Sequence, residues 1–250
     1  MTLGWIMAGG VVALIAAAVA GGRLPRVWLA LTLAGTAAFL AAAFWTLGGA
    51  EWDWRSGFAL GGERVHLHLD GLSAWFLALV AVVGGTGAAY AIGYWPDREQ
   101  PESAGRGRAW WACLILSMGL VLLCANGLHF LMAWEAFALS AYFLITLERE
   151  RRETRAAGWL YLAASHAGTL GLFAFFSLLA AKTGTWELGP VREQTELAPL
   201  FWVALFGFGV KAGMFPLHIW LPSAHANAPS HVSAIMSAVA IKMGLYGLMR

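Results

Sequence analysis

The chain's 250 residues are 60% hydrophobic and 12% charged, where an average soluble domain is about a quarter charged. That composition excludes a soluble globule. The balance of 16 Lys+Arg against 14 Asp+Glu, net +2 with no dense basic patch, speaks against nucleic acid as a partner.

A hydrocarbon core about 30 Å thick needs about 20 apolar residues per helix. In chain order, the runs of that kind are Leu3 to Gly21, Val27 to Leu47, Gly71 to Trp95, Ala109 to Ala125, Leu128 to Leu147, Ala156 to Ala181 and Ala198 to Leu217. An eighth begins near Val232 and still reads as helix at Arg250, which predicts that the sequence is a fragment of a longer protein. The first run lacks the basic flank of a signal peptide and reads as a retained helix. The expected architecture is therefore all-α, a polytopic membrane bundle of about eight spanning helices. The two cysteines, Cys113 and Cys124, fall in one apolar run with no CxxC pair; they read as packing residues.

Basic residues alternate between the connections. Arg23, Arg26, Arg98, Arg106, Arg108, Arg149, Arg151, Arg152 and Arg155 follow the odd-numbered runs, and only Arg55, Arg64, Lys182 and Arg192 follow the even ones. This bias places the odd connections in the cytoplasm and the N-terminus outside, in an inner (plasma) membrane. Trp5, Trp28, Trp45, Tyr94, Trp95, Trp110 and Trp111 sit near run ends, as interfacial anchors do. The longest connection, Gly48 to Asp70, contains His66 and His68; that spacing suits a metal on one strand face, but no third ligand is evident and a plain loop is expected. The segment Glu148 to Arg155 reads as a solvated turn, and His129 as an interfacial residue. No metal site is expected.

Of the 30 charged residues, only Glu135, Lys211 and Lys242 lie inside apolar runs, 7 to 13 residues from the start. At about 1.5 Å per residue this is the middle of the bilayer, where a charge costs a few kcal/mol unless it faces the protein interior and is paired or neutralised. A purely structural ion pair is one reading. Three ionisable groups at a common depth also suit proton handling: desolvation makes a lysine easier to deprotonate and a glutamate harder to ionise, and mutual proximity does the reverse. A shift of Glu135 toward or away from Lys211 would then hold a proton or pass it on to Lys242. Around Lys211, Gly207, Gly209 and Gly213 precede Pro216 and Pro222. Pro216 has no N–H to offer the carbonyl of Ala212, so a discontinuous seventh helix with a hydrated break at Gly213 and Pro216 is expected. His218, His225 and His231 after the break, with His166 in the sixth run, are candidate relay members.

Four strings resemble the antiporter-like subunits of respiratory complex I, the group 4 membrane-bound hydrogenases and the multisubunit cation/proton antiporters. They are LHLDGLSAWFLALVAVVGGTGAAYAIGYW from Leu67, NGLHFLMAWEAFALSAYFLI from Asn126, FGVKAGMFPLHIWLPSAHANAPSHVSAIMS from Phe208 and AIKMGLYGLMR from Ala240. The run LPSAHANAPSHVSAIMS looks nearest to the large membrane subunit of hydrogenase-4 and formate hydrogenlyase. The resemblance implies a fold of two inverted five-helix repeats. This sequence would carry a three-helix region, 1–108, with an extracytoplasmic loop 48–70, then the first repeat, 109–250, stopping within the eighth helix. It also implies that Glu135, Lys211 and Lys242 take the family's membrane-embedded proton-translocation positions.

The implied function is that of a proton-translocating subunit of a redox-driven complex, with a multisubunit Na+/H+ antiporter subunit and a non-conducting membrane anchor as alternatives. The sequence has no Fe–S cysteine pattern, haem pair or Rossmann fingerprint. Fe–S, NiFe or flavin centres are therefore expected only in partner subunits, both membrane and peripheral, and any oxidoreductase activity belongs to the assembly.

Overall fold

The computed structural model describes residues 2–189 and 195–250; Arg192, one of the counted basic residues, lies outside them. Helices α1 (Thr2–Ala20), α2 (Pro25–Leu47), α3 (Gly71–Tyr94), α4 (Ala104–Leu123), α5 (Gly127–Ile145) and α6 (Arg152–Thr183) are each long and apolar enough to cross a membrane. After α6 come a 3₁₀ turn (Thr195–Leu197), then α7 (Leu200–Ala212), α8 (Leu221–Asn227), α9 (Ser230–Ile235), a π-helical turn (Met236–Ala240) and α10 (Ile241–Met249). The stretch Ser230–Met249 makes a seventh helix of membrane-crossing length, whereas α7 is shorter.

The expectation of an all-α chain with a plain loop at 48–70 is corrected. Strands β1 (Trp52–Leu60) and β2 (Glu63–Leu69) form an antiparallel hairpin with Asp53 opposite His68 and Arg55 opposite His66. Gly61 and Gly62, at φ +66° and +90°, make the two-residue turn that only paired positive φ values allow. The pairing continues past β2: the Ala125 N–H donates to the His66 carbonyl, and the Leu188 N–H donates to the Ala125 carbonyl. The hairpin and the connections after α4 and α6 therefore lie on one face of the bundle.

The opposite face gathers the other connections. Arg108, expected in a loop, instead lies buried in the first turns of α4. Its guanidinium donates to Gly21 O at 2.7 Å and to both oxygens of Asp97 at 3.0 and 2.6 Å. The charge in these first turns is satisfied by the chain after α1 and after α3. Two expected interfacial anchors are core residues as well. Trp28 donates to Arg108 O at 2.7 Å and Trp111 to Gly84 O at 3.0 Å, and both rings are fully buried. Trp5 and Trp45 do remain exposed.

Side-chain caps fix two helix starts on the hairpin face: Asp70 accepts from Ser73 N at 2.9 Å, and Asn126 accepts from Leu128 N at 3.0 Å. His129, expected at the interface, is buried on the same face, with Nε2 3.1 Å from Leu60 O of the hairpin. Tyr246 of α10 binds Ser73 Oγ at 3.0 Å and Leu122 O at 3.1 Å, which locks α10 against α3 and α4.

Candidate functional site

Helix α7 stops at Ala212, one residue after Lys211. Gly213 adopts φ +66°, its N–H donates to Val210 O, and the Met214 N–H donates to Gly209 O. This pair of hydrogen bonds around a left-handed glycine is a Schellman ending. Trp220 Nε1 supplies a further donor to Val210 O at 2.9 Å. The break expected at Gly213 and Pro216 is thus made by Gly213; Pro216 comes after the helix has already ended, so its missing N–H is not the cause. Helix α8 resumes at Leu221, and α9 follows.

Lys211 is buried at 3% exposure. Its ammonium donates to the Tyr161 hydroxyl at 2.8 Å and lies 4.1 Å from the centre of the Phe137 ring, with the Tyr161 and Trp134 rings at 4.9 and 5.8 Å. Three aromatic faces and one phenol oxygen hold the group where water cannot. Tyr161, Trp134 and Phe137 had drawn no attention in the sequence. The signal was available for Tyr161, a phenol in an apolar run, whose hydroxyl must find a partner when buried.

Glu135 lies on the same helix as Trp134 and Phe137. Its Oε2 lies 3.1 Å from His166 Nδ1 on α6, and its Oε1 is buried without a partner. Among the described residues, Glu135 and Lys211 form no ion pair within 4.0 Å. The two groups expected to act on one another are each held by α6, through His166 and Tyr161.

Lys242 is half-buried on α10 and donates to Ser237 O at 2.5 Å. The π turn preceding it makes the Ile241 N–H reach back to Met236 O, five residues away, a distortion that recurs at functional sites. Helices α7 and α10 touch closely at Gly244, where a Cβ would sit 2.6 Å from both Ala212 N and Phe208 O. Lys242, two residues before, is turned about 200° from that contact. The structure therefore packs the helices of Lys211 and Lys242 together, with Lys242 on the side of α10 away from that contact.

The candidate relay histidines occupy separate places. His225 Nδ1 is 2.7 Å from Ser233 Oγ, tying α8 to α9. His231 is buried against Tyr94, Trp95 and Trp111, at the face opposite the hairpin, and its Nδ1 has no partner. His218 Nδ1 is likewise buried and unpartnered. Among the described residues no hydrogen bond joins these three to Lys211, and none of the His, Cys, Asp and Glu side chains gather in threes so as to hold a metal.

Residues 125–250, the segment that holds every residue of this site, match the family described as NADH:quinone oxidoreductase/Mrp antiporter, transmembrane. The chain belongs to that family. It is a multi-pass membrane protein of the antiporter-like subunit type. Over 189 residues it is 34% identical to hydrogenase-4 component B of Escherichia coli (strain K12), covering 74% of this chain and 28% of that protein. Over 200 residues it is 32% identical to Na(+)/H(+) antiporter subunit A1 of Staphylococcus aureus (strain JH9), covering 76% of this chain and 24% of that one. The chain thus spans less than a third of the length of either relative. Its fold resembles that of a chain in the Mrp complex from Dietzia sp. DQ12-45-1b, with a TM-score of 0.82 at 23% identity, covering 99% of this chain and 48% of that one. The named relatives are components or subunits of multisubunit assemblies.

Proposed function

We propose that the chain carries the first of two inverted five-helix repeats of a proton-translocating subunit in a redox-driven complex of the hydrogenase-4 or NADH-quinone oxidoreductase type. In this reading eight helices span the bilayer, the seventh being α7 and α8 with the break at Gly213 between them. Residues 1–108 form the flanking three-helix region, and 109–250 the repeat. The N-terminus and the hairpin face outward from an inner membrane, and the Arg-rich connections face the cytoplasm. Glu135, Lys211 and Lys242 move the proton. Partner subunits, membrane and peripheral, hold the Fe–S, NiFe or flavin centres.

The observation that carries this reading is the setting of Lys211. A charged ammonium among three rings has only a neutral phenol as hydrogen-bond partner, so its charged form depends on where the nearest carboxylate stands. With Glu135 on His166 the ammonium has no carboxylate partner; with Glu135 brought back it would gain one. A pure anchor would be more stable with apolar residues in these places, by several kcal/mol. The likeness to the sodium/proton antiporter subunit supports a second reading, in which the same residues exchange protons for a cation without electron transfer. The complete assembly, reconstituted in sealed vesicles, separates the two. Acidification of the lumen on addition of an electron donor supports the redox-driven reading; acidification driven only by an imposed sodium gradient selects the antiporter instead.

A further inference from the structure

His66 is buried within the hairpin sheet at 7% exposure, and both of its ring nitrogens face carboxylates: Nδ1 meets Glu187, from the connection after α6, and Nε2 lies 2.6 Å from Asp53 Oδ2, on β1. A neutral imidazole donates from one nitrogen and accepts at the other. Carboxylate oxygens only accept, so this geometry is met by the ring that carries two N–H groups. We infer that Asp53, His66 and Glu187 form a proton-binding latch, separate from the Glu135 and Lys211 group, that fastens the hairpin to the connection after α6 while His66 holds its second proton and releases it when that proton leaves.

The surrounding charges fit. Arg55 on β1 lies 3.6 Å from Glu187, and His68 Nδ1 lies 3.5 Å from Asp53 Oδ2. Glu63 is occupied by Asn126 Nδ2 at 3.3 Å, Asp70 by Arg250, and His129 by Leu60 O. Two carboxylates, one guanidinium and one imidazolium sum to zero. Loss of the ring proton to water leaves a net charge of −1 and sets a bare nitrogen lone pair against a carboxylate oxygen. Consistent with this, the hydrogen bond from His66 holds the Asp53 carboxyl below the usual carboxylate range. Asp53, His66 and His68 also line, with Phe130, Phe176 and Phe208, a cleft of about 1000 Å³.

The test uses the whole 250-residue chain, labelled with ¹⁵N-histidine in lipid nanodiscs and titrated from about pH 5 to about pH 8, the range that brackets imidazole titration. The His66 ring should show two protonated nitrogens at the acid end of the titration, where the latch is closed. As it loses one, amide exchange at Val65 to Leu69 and at Thr185 to Leu188 should accelerate together, about tenfold or more. In His66→Gln the exchange should be fast throughout, with no step; His68→Gln should keep the step. Glu187→Gln, which leaves the hairpin intact, should abolish the step as well and covers the case in which His66→Gln does not fold. A ring with one bare nitrogen throughout the titration, exchange that ignores the titration, a step that moves with His68, or a step abolished by a metal chelator would each overturn the latch.

Discussion

The Lys211 ammonium donates to the Tyr161 hydroxyl at 2.8 Å, so the buried cation of the broken helix is held by a phenol of α6 and by no carboxylate among the described residues. The same helix, five residues on, holds Glu135 through His166. Helix α6 is thus the element on which both groups lean, and a small shift of it would change the partner of each.

Tyr161→Phe removes the hydrogen bond and keeps the ring. Because the ammonium would be left with aromatic faces alone, the rate of proton movement should fall by about tenfold, the scale of one charge-assisted hydrogen bond. Assembly should be intact. Flux in vesicles, read beside the recovered amount of complex, checks this.

Glu135 and His166 should behave as one unit. Glu135→Gln and His166→Gln should each slow proton movement, and the double variant should be no slower than the worse single one. Additive losses would mean that the 3.1 Å contact has no functional weight.

Arg108→Ala leaves the buried Gly21 carbonyl and one face of Asp97 without donors. A loss of about 2–3 kcal/mol is expected from charged hydrogen bonds of this kind, seen as a lower unfolding midpoint in detergent with the function of surviving protein unchanged.

Acid should loosen the hairpin. The Asp53 carboxyl is held below its ordinary range by the His66 hydrogen bond, so its contribution is fully present above the usual carboxylate range and is lost as pH falls through that range and on through the lower folded value. Protease nicking at the exposed stretch around Phe58 should rise in that window, and in Asp53→Asn the rise should be absent.

Several of these features were legible in the sequence, and their physical signals say why. Helix positions followed from runs of about 20 apolar residues, and Gly213 and Pro216 just after Lys211 marked the break, although Gly213 at positive φ makes it and Pro216 does not. The hairpin was missed although alternation in Arg64 to Leu69 and the Gly61-Gly62 pair announced it; its pairing continues into the connections after α4 and α6, which only the folded chain brings near. Arg108 was mistaken for a loop residue because its partners, Gly21 and Asp97, lie 87 and 11 residues away. The three lysine and glutamate positions could be named from depth alone, whereas Tyr161 as the partner of Lys211 depends on how α6 is rotated, which hydrophobicity on both sides of that helix leaves unspecified.

The most direct test of the central claim is proton movement across vesicles by the complete assembly carrying Lys211→Ala, measured with a pH-sensitive dye beside the yield of assembled complex. Proton transfer through Lys211 predicts that movement falls at least tenfold while the complex forms in normal amount. Normal proton movement in the variant would contradict it, and loss of the complex itself would show Lys211 to be a structural residue.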